Sequence, residues 1–275
     1  IGLTVYGRLE HTKKTIEALK NNFLAKDSHL YIFSDAAKKG DEKIIQQMRN
    51  YLKTIDGFKK ITIVERKSNS RIKNNRGGQK LLLEKYGKMI WMAEDIVTAP
   101  GYLTFMNESL NFYANDKKVY CIGAHTPNLK SNKYNSKQVY FVRRFHPWGF
   151  ATWQSKFQEF SPLPDYEVIK KNINLIKNLN EYGKDLLKMI KADSEGKINA
   201  GDVRACYLMN LKGLYTVLPT QTLVKNIGMD GSGLHCGSID IHKGDVLSNL
   251  SDFNLSEFYY APSVHKEYKE FYDTL

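Results

Sequence analysis

Two adjacent carboxylates, Glu94 and Asp95, are the side chains of this sequence best placed to do chemistry. They directly follow the apolar run at residues 89–92, which is typical of a buried central strand. Ligands of open α/β sheets bind just beyond the carboxyl ends of the strands, and acids there can hold a divalent cation that bridges two phosphates. A surface turn is the alternative. Residues 100–103 open a helix behind the acids, which indicates a formed crevice and favours metal binding.

Three more side chains follow the first two predicted strands. Tyr6 and Arg8 come at the end of the first, and the guanidinium of Arg8 could reach a phosphate or a base. Asp35 ends the second, where its carboxylate could accept the imide hydrogen of a uracil or a ribose hydroxyl. The competing interpretations are a surface arginine for Arg8, and a helix cap or Asx turn for Asp35.

A basic cluster follows the third predicted strand. It consists of Arg71, Lys73 and Arg76 with Gly77 and Gly78, and such a cluster could face a pyrophosphate. The sequence has no GxxxxGK[ST] loop and no GxGxxG after a strand. The motifs for ATP binding by a P-loop and for NAD binding are therefore absent.

The second half of the chain carries an aromatic run and two candidate polar groups. Trp148 and Trp153 lie in residues 145–153, where aromatic faces could stack on a sugar ring or could simply pack a core. Asp202, near the start of a predicted helix, could be a general base or a cap. The loop at residues 228–237 has four glycines in ten residues. It carries His235, which is a candidate ligand for a metal or a phosphate late in the chain.

The elements that position these groups can be predicted from the hydrophobic pattern. In the first 125 residues, short apolar runs typical of strands alternate with segments that have helical spacing. Apolar runs predict five strands, and helical spacing predicts helices between them, at residues 11–23, 41–52 and 81–86. The strands lie at residues 3–6, 30–33, 61–64, 89–92 and 119–122. This alternation predicts an α/β fold with a mostly parallel sheet and helices on both faces.

The second half shows a different pattern. An antiparallel strand is predicted at residues 138–142 and a last strand at 214–218, with helices over the three ranges 165–179, 181–192 and 201–211. We therefore expect a nucleotide-binding half, residues 1–125, fused without a linker to a smaller acceptor-binding half, residues 126–275.

The composition indicates which classes of partner and which cellular location to expect. The chain has 275 residues, with 41 Lys and Arg against 29 Asp and Glu, a net charge of +12. This excess favours polyanionic partners, which are nucleic acid, nucleotide phosphates or an anionic membrane surface, and a simply solvated basic face is the alternative. The 3 cysteines form no CxxC pair, and such sparse use is typical of a reducing cytoplasm. No signal-peptide pattern is visible, so the expected location is cytoplasmic, with peripheral contact at the inner membrane face.

Several of these segments, taken in order, resemble bacterial GT-A-fold glycosyltransferases, of the group related to family 2 and to the N-acetylglucosaminyltransferase I type. The resemblance extends from the first strand to Cys236 and is most specific in the acidic segment and in the Trp-Gly-Phe-Ala-Thr-Trp segment. The segments are residues 5–8, 34–35, 91–97, 100–103, 148–153 and 226–236.

The resemblance implies a nucleotide-sugar donor, usually a UDP-sugar, a Mn²⁺ or Mg²⁺ ion and inversion at the anomeric carbon. The acceptor would be a hydroxyl of a glycan or lipid-linked precursor in surface polysaccharide synthesis, and no nucleic acid partner is expected. Ala93 stands where the family usually has an acid. The implied roles are donor binding by Tyr6, Arg8, Asp35, Arg71 and Glu94, metal binding by Asp95 and His235, catalysis by Asp202, and acceptor binding by Trp148 and Trp153.

Other interpretations stay open on the residues alone. Glu195 and Asp230 are rival candidates for the base. A nucleotidyltransferase also joins an α/β half to metal-binding acids, but residues 7–10 contain a single glycine where a phosphate loop would be expected. A carbohydrate- or RNA-binding module would account for the charge and the aromatic residues, and would leave the acid pair without a role.

Overall fold

A mixed eight-stranded sheet organises the chain. The structure, a computed structural model, describes residues 1–130, 139–157, 162–232, 242 and 244–274. Within these ranges the strands are β1 Gly2–Val5, β2 His29–Ser34, β3 Lys60–Glu65, β4 Lys88–Ala93, β5 Ile96–Thr98, β6 Val119–Gly123, β7 Val139–Val142, β8 Phe150–Trp153, β9 Tyr215–Pro219 and β10 Val224–Asn226.

The helices of the described ranges connect these strands or follow them. They are α1 Leu9–Lys20, α2 Glu42–Leu52, α3 Arg71–Tyr86, α4 Tyr102–Phe112, α5 Tyr166–Ile169, α6 Ile173–Asn180, α7 Asp185–Ser194, α8 Gly201–Lys212 and α9 Pro262–Asp273. A single 3₁₀ turn at Ala25–Asp27 precedes β2. None of these helices combines the length and the apolar character needed to cross a membrane.

The large sheet has the order β3-β2-β1-β4-β8-β6-β9-β7. Strand β1 is parallel to β2 and β4, β2 is parallel to β3, and β6 is parallel to β9. Strand β8 lies antiparallel between β4 and β6, and β7 is antiparallel to β9. Because β8 is antiparallel to both of its neighbours, β6 runs in the same direction as β4. The predicted α/β fold with a mostly parallel sheet is confirmed.

This topology gathers distant segments at one edge of the sheet, here called the carboxyl edge. Strands β1, β2, β4 and β6 all end there, and the antiparallel β8 begins there. The residues that follow the parallel strands, and those that precede β8, therefore meet along that edge. Polar side chains from the whole length of the chain become neighbours in this way.

Helices cover both faces of the sheet, as the strand patterns require. Along β2, Leu30 and Ile32 belong to one core cluster, while Tyr31 and Phe33 belong to the other, since successive strand residues point to opposite faces. Helices α1, α2 and α4 pack on the first face, and α3 and α6 to α9 on the second. Residues 89–92 of β4 are all buried, which confirms that β4 is a central strand.

Some elements differ from the sequence-based expectation. Helix α3 begins ten residues before the predicted start, because two adjacent glycines in its middle obscure the helical pattern. The helix predicted over residues 165–179 is two helices, α5 and α6, and the side chain of Asn172 caps the second by accepting from Leu175 N. Strands β5, β8 and β10 and helix α9 were not predicted. Strands β5 and β10 have three residues each and β8 has four, too few to show a period.

Gly78 generates a stability prediction, because it is the point where α3 approaches the sheet most closely. A Cβ at Gly78 would lie 2.5 Å from Trp91 Cη2 and 3.0 Å from the ring of Phe33, both buried. The nearest atoms to a Cβ at the adjacent Gly77 belong to the Arg66 guanidinium, with Nη2 at 3.2 Å, and this partly buried side chain can shift more easily than a packed ring. We expect Gly78→Ala to lower the free energy of unfolding by about 1–3 kcal/mol, and Gly77→Ala to raise it by up to about 1 kcal/mol through helix propensity.

Urea unfolding of the two variants measures the difference. Equal effects of the two substitutions would show that α3 does not depend on this contact.

Candidate functional site

An arginine clamped between two acids lies at the carboxyl edge. Glu94 accepts hydrogen bonds from Tyr6 N at 2.6 Å and from Arg8 Nε at 2.9 Å. Asp95 Oδ2 accepts from Arg8 Nη2 at 2.8 Å. Both acids are buried, and the Arg8 side chain is only 24% exposed. Four residues singled out in the sequence are thus brought together, because β1 and β4 are neighbours and end at the same edge.

Burial and pairing act in opposite directions on the charges of this cluster. Burial raises the pKa of Glu94, and the Tyr6 amide and the Arg8 guanidinium offset only part of that rise. Burial alone would lower the pKa of Arg8, but Asp95 and Glu94 together raise it above its ordinary value. Arg8 therefore remains a cation.

One donor of Arg8 is left over. Arg8 Nη1 is buried, and no residue in the described part of the chain accepts a hydrogen bond from it. A buried unsatisfied N–H costs roughly 1–3 kcal/mol, more for a charged group. Such a group commonly marks the place of a missing partner. Because Arg8 is a cation, an anionic oxygen is the partner that would fit it best.

Gly228 lies directly against the cluster. The short antiparallel pairing of β5 with β10 places residues 226–228 across the acids, and Ile227 N donates to the backbone oxygen of Asp95 at 2.9 Å. A Cβ at Gly228 would lie 2.4 Å from Asp95 Oδ2 and 2.7 Å from Arg8 Nη1. Only glycine permits this approach. The sequence identified the glycine loop but not which glycine touches the acids.

Asp35 has a different set of partners. Its two carboxylate oxygens accept from the backbone N–H groups of Ala36 and Ser70 and from the side-chain amide of Asn69. It is buried, so its clearest role is to hold the start of α3 against the end of β2. Arg71 begins that helix and is exposed. No hydrogen bond or ion pair within the described ranges joins Arg71 to the acid pair.

The carboxylates predicted as candidate bases lie in three different places. Asp202, in the first turn of α8, lines a cavity of about 30 Å³ that also contacts His146 and Cys206. Glu195 follows α7 and pairs with Lys197 at 2.6 Å. None of the contacts found among the described residues links either carboxylate to Glu94 or Asp95.

Asp230 is the rival that the structure places beside the acid cluster. It lies two residues after Gly228, and its Oδ2 is 3.1 Å from His11 Nε2 on α1. Hydrogen bonds from the hydroxyl and the amide of Ser232 lower the pKa of Asp230 to about 2. It is therefore an ionised but weakly basic carboxylate, joined to α1 through His11. The predicted metal ligand His235 lies outside the described residues.

The two tryptophans of the aromatic run are at opposite edges of the sheet. Trp148 precedes β8 at the carboxyl edge, where its ring contacts His125 and His242 with centroids 4.7 and 4.8 Å away. Trp153 ends β8 opposite Lys88, at the other edge. It is buried, and its Nε1 donates to Leu110 O. Its ring packs the core at the end of β8 away from the acid cluster, and acceptor binding by Trp153 stays a prediction.

Asp95 also fits the role of a cation ligand. Its Oδ2 makes both the hydrogen bond and the ion pair with Arg8, and Oδ1 takes part in neither. Divalent cations in phosphate-binding sites are commonly held by one or two carboxylates together with phosphate oxygens. Asp95 Oδ1, to which no hydrogen bond is found from the described part of the chain, satisfies that requirement.

The contact between Gly228 and Asp95 can be tested as a coupling energy. We expect Gly228→Ala to destabilise the wild-type chain and to cost less in an Asp95→Ala background, where the obstructing oxygen is gone. A double-mutant cycle from urea unfolding should give a coupling above about 0.5 kcal/mol. Additive effects would mean that the loop does not rest on Asp95.

No protein-family model matches the chain, and no curated protein matches it either. Similar solved structures include the mannosyltransferase PcManGT from Pyrobaculum calidifontis in complex with GDP-Man and Mn²⁺. It has 10% identity to this chain and a TM-score of 0.43, and the match covers 79% of this chain and 53% of that chain. The structure of S. aureus TarS 1–349 has 9% identity to this chain and a TM-score of 0.44, and the match covers 83% of this chain and 60% of that chain. This chain therefore spans a little over half of each of these structures. At these values the likeness assigns neither substrate nor activity to this chain.

Proposed function

We propose that the chain is a metal-dependent, inverting glycosyltransferase of the GT-A type that uses a nucleotide-sugar, with a UDP-sugar as the expected donor. The observation that carries the proposal is Arg8, held by Glu94 and Asp95 at the carboxyl edge with one buried donor that has no partner among the described residues. A cation with a free donor beside a carboxylate oxygen suits a diphosphate that arrives with a divalent ion. The resemblance in the acidic segment points to the same chemistry.

Each residue of the cluster has a separate part in donor binding. Glu94 fixes the guanidinium by accepting from Nε, so that Arg8 Nη1 can donate to an anionic oxygen of the diphosphate. Asp95 would hold Mn²⁺ or Mg²⁺ through Oδ1. When bound, that ion supplies positive charge that offsets the charge growing on the leaving diphosphate. The clamped Arg8 adds to the same effect without having to reorganise.

The acceptor side needs a base. In an inverting transfer, a carboxylate removes the proton of the acceptor hydroxyl while the diphosphate leaves from the opposite face. We propose Asp202 for this role, and Asp230 is its rival because of its place beside the cluster. Trp148 would stack on the acceptor sugar. The acceptor itself is a hydroxyl of a glycan or of a lipid-linked precursor, in the synthesis of a bacterial surface polysaccharide.

The metal assignment is tested by Asp95→Asn. This change keeps the size of the side chain but removes the charge that would bind the cation. We expect loss of Mn²⁺-dependent UDP binding in calorimetry, and transfer reduced on the order of 10³-fold. Asp56→Asn is the matched control, since Asp56 is 82% exposed and pairs only with Lys20 in the described chain. Near-native turnover of Asp95→Asn would contradict the assignment.

The base is tested by comparing Asp202→Asn, Asp230→Asn and Glu195→Gln. Asn caps a helix nearly as well as Asp, so Asp202→Asn should fold normally. We expect it to keep normal UDP and Mn²⁺ affinity and to transfer sugar at least about 100-fold more slowly.

Each other outcome of this comparison has a separate meaning. If Asp230→Asn alone loses transfer, the base lies in the glycine loop. If all three variants remain active, none of these carboxylates is the base. A hydrolysis screen over UDP-, GDP-, CMP- and dTDP-sugars with Mn²⁺ identifies the donor.

A further inference from the structure

Three buried side chains with metal-binding atoms converge at the carboxyl edge beyond β6. They are His125, His242 and Asp245, and their ligand atoms all lie within 4.8 Å of one another. A single oxygen, Asp245 Oδ2, is 2.7 Å from His125 Nε2 and 3.4 Å from His242 Nδ1. One carboxylate oxygen thus faces two imidazole nitrogens, an arrangement that suits three ligands around a common centre.

The trio is enclosed and lined by aromatic rings. The side chain of His125 is fully buried and that of Asp245 is 4% exposed. The ring of Trp148 meets both imidazoles edge-on, and His146 packs against His125 with its own Nε2 bonded to the Tyr272 hydroxyl. A carboxylate in such surroundings is costly unless a cation or strong donors compensate its charge.

The two imidazoles can present the ring nitrogens that a metal requires. A metal binds an imidazole through an unprotonated nitrogen and a carboxylate in its ionised form. The proton of a neutral imidazole can lie on either ring nitrogen. With the proton on the other nitrogen of each ring, His125 Nε2 and His242 Nδ1 both face Asp245 Oδ2 as ligand atoms.

The trio is separate from the proposed donor site. Strands β4 and β6 are both hydrogen-bonded to β8 and lie on either side of it. With neighbouring strands about 4.8 Å apart, their ends are about 10 Å from each other. Asp95 follows β4, whereas His125 follows β6, so a cation between His125 and Asp245 would not be the one that Asp95 holds.

We propose that His125, His242 and Asp245 bind one Zn²⁺ ion. Two imidazole nitrogens and one carboxylate oxygen form a ligand set that zinc favours, at about 2.0–2.2 Å from each ligand. These bond lengths place tetrahedral ligand atoms roughly 3.4 Å apart, which matches the contact of Asp245 with His242, whereas the 2.7 Å contact with His125 has to lengthen. Three protein ligands leave the fourth position for a water molecule or a substrate hydroxyl, as in catalytic rather than structural zinc sites.

A cavity of about 220 Å³ provides access from one side. Asp245 lines it together with Thr126, Thr222 and Gln221. Ser248 N, three residues after Asp245, donates to Thr222 O at 2.9 Å. The ion would therefore fasten His242 and Asp245 to the loop after β6, next to Trp148.

Zinc binding is measured on the whole chain after removal of metal, by competition against a chromophoric chelator. We expect one Zn²⁺ per chain. His242→Gln and Asp245→Asn should each weaken the affinity at least about 100-fold, since loss of a supporting residue alone typically costs 10–100-fold. Co²⁺ is a second probe of the unmodified chain, because a tetrahedral site gives it intense visible absorption.

Two control variants separate this site from the rest of the molecule. His265→Gln changes a buried histidine elsewhere, one whose Nε2 lies 2.9 Å from Phe141 O, and it should keep the zinc. Asp95→Asn removes the proposed metal ligand of the donor site. This variant should also bind Zn²⁺ at the trio, whatever its effect on sugar transfer.

Three results would overturn the proposal. The first is a wild-type chain that binds no stoichiometric Zn²⁺ and gives only the spectrum of octahedral Co²⁺. The second is unchanged Zn²⁺ affinity in both His242→Gln and Asp245→Asn. The third is loss of Zn²⁺ in Asp95→Asn with retention in the two trio variants.

Discussion

The ion pairs of Arg8 with Glu94 and Asp95 are the interaction on which the site depends. They join the chain after β1 to the chain after β4, with both acids buried. Removing one partner of such a group typically costs 3–5 kcal/mol, because it leaves an uncompensated buried charge. The backbone of Tyr6 and the glycine at position 228 are arranged around this group. The carboxyl edge therefore owes its local shape to electrostatics as much as to apolar packing.

The features that the sequence predicted well are local ones. The apolar runs of β2 and β4 and the position of Glu94 and Asp95 after a central strand follow from period and composition within a few residues. The features it missed depend on contacts between distant segments. The ribbon of β5 and β10 joins residues more than one hundred positions apart, and its strands are too short to carry a pattern.

The histidine trio and Trp153 show the same limit at the level of single side chains. His125 and Asp245 are 120 residues apart in the chain, and neither belongs to a motif with metal-ligand spacing. Only the strand order brings them together. Trp153 shares its segment with Trp148, yet the four-residue strand β8 separates them by its full length. Spacing along the chain cannot show which end of a strand faces a site until the direction of that strand is known.

The antiparallel strand β8 also acts as a spacer between two charged centres. The Arg8 cluster has a formal charge of −1, as does the histidine trio with its carboxylate ionised, so a divalent ion at each would leave +1 at both. At about 10 Å, two such charges repel by about 0.4 kcal/mol in water and about 1.7 kcal/mol at an effective dielectric constant of 20. This repulsion is small beside the affinity of an ordinary metal site, so simultaneous loading is compatible with the sheet, and filling one centre would weaken metal binding at the other by about 2-fold to about 20-fold.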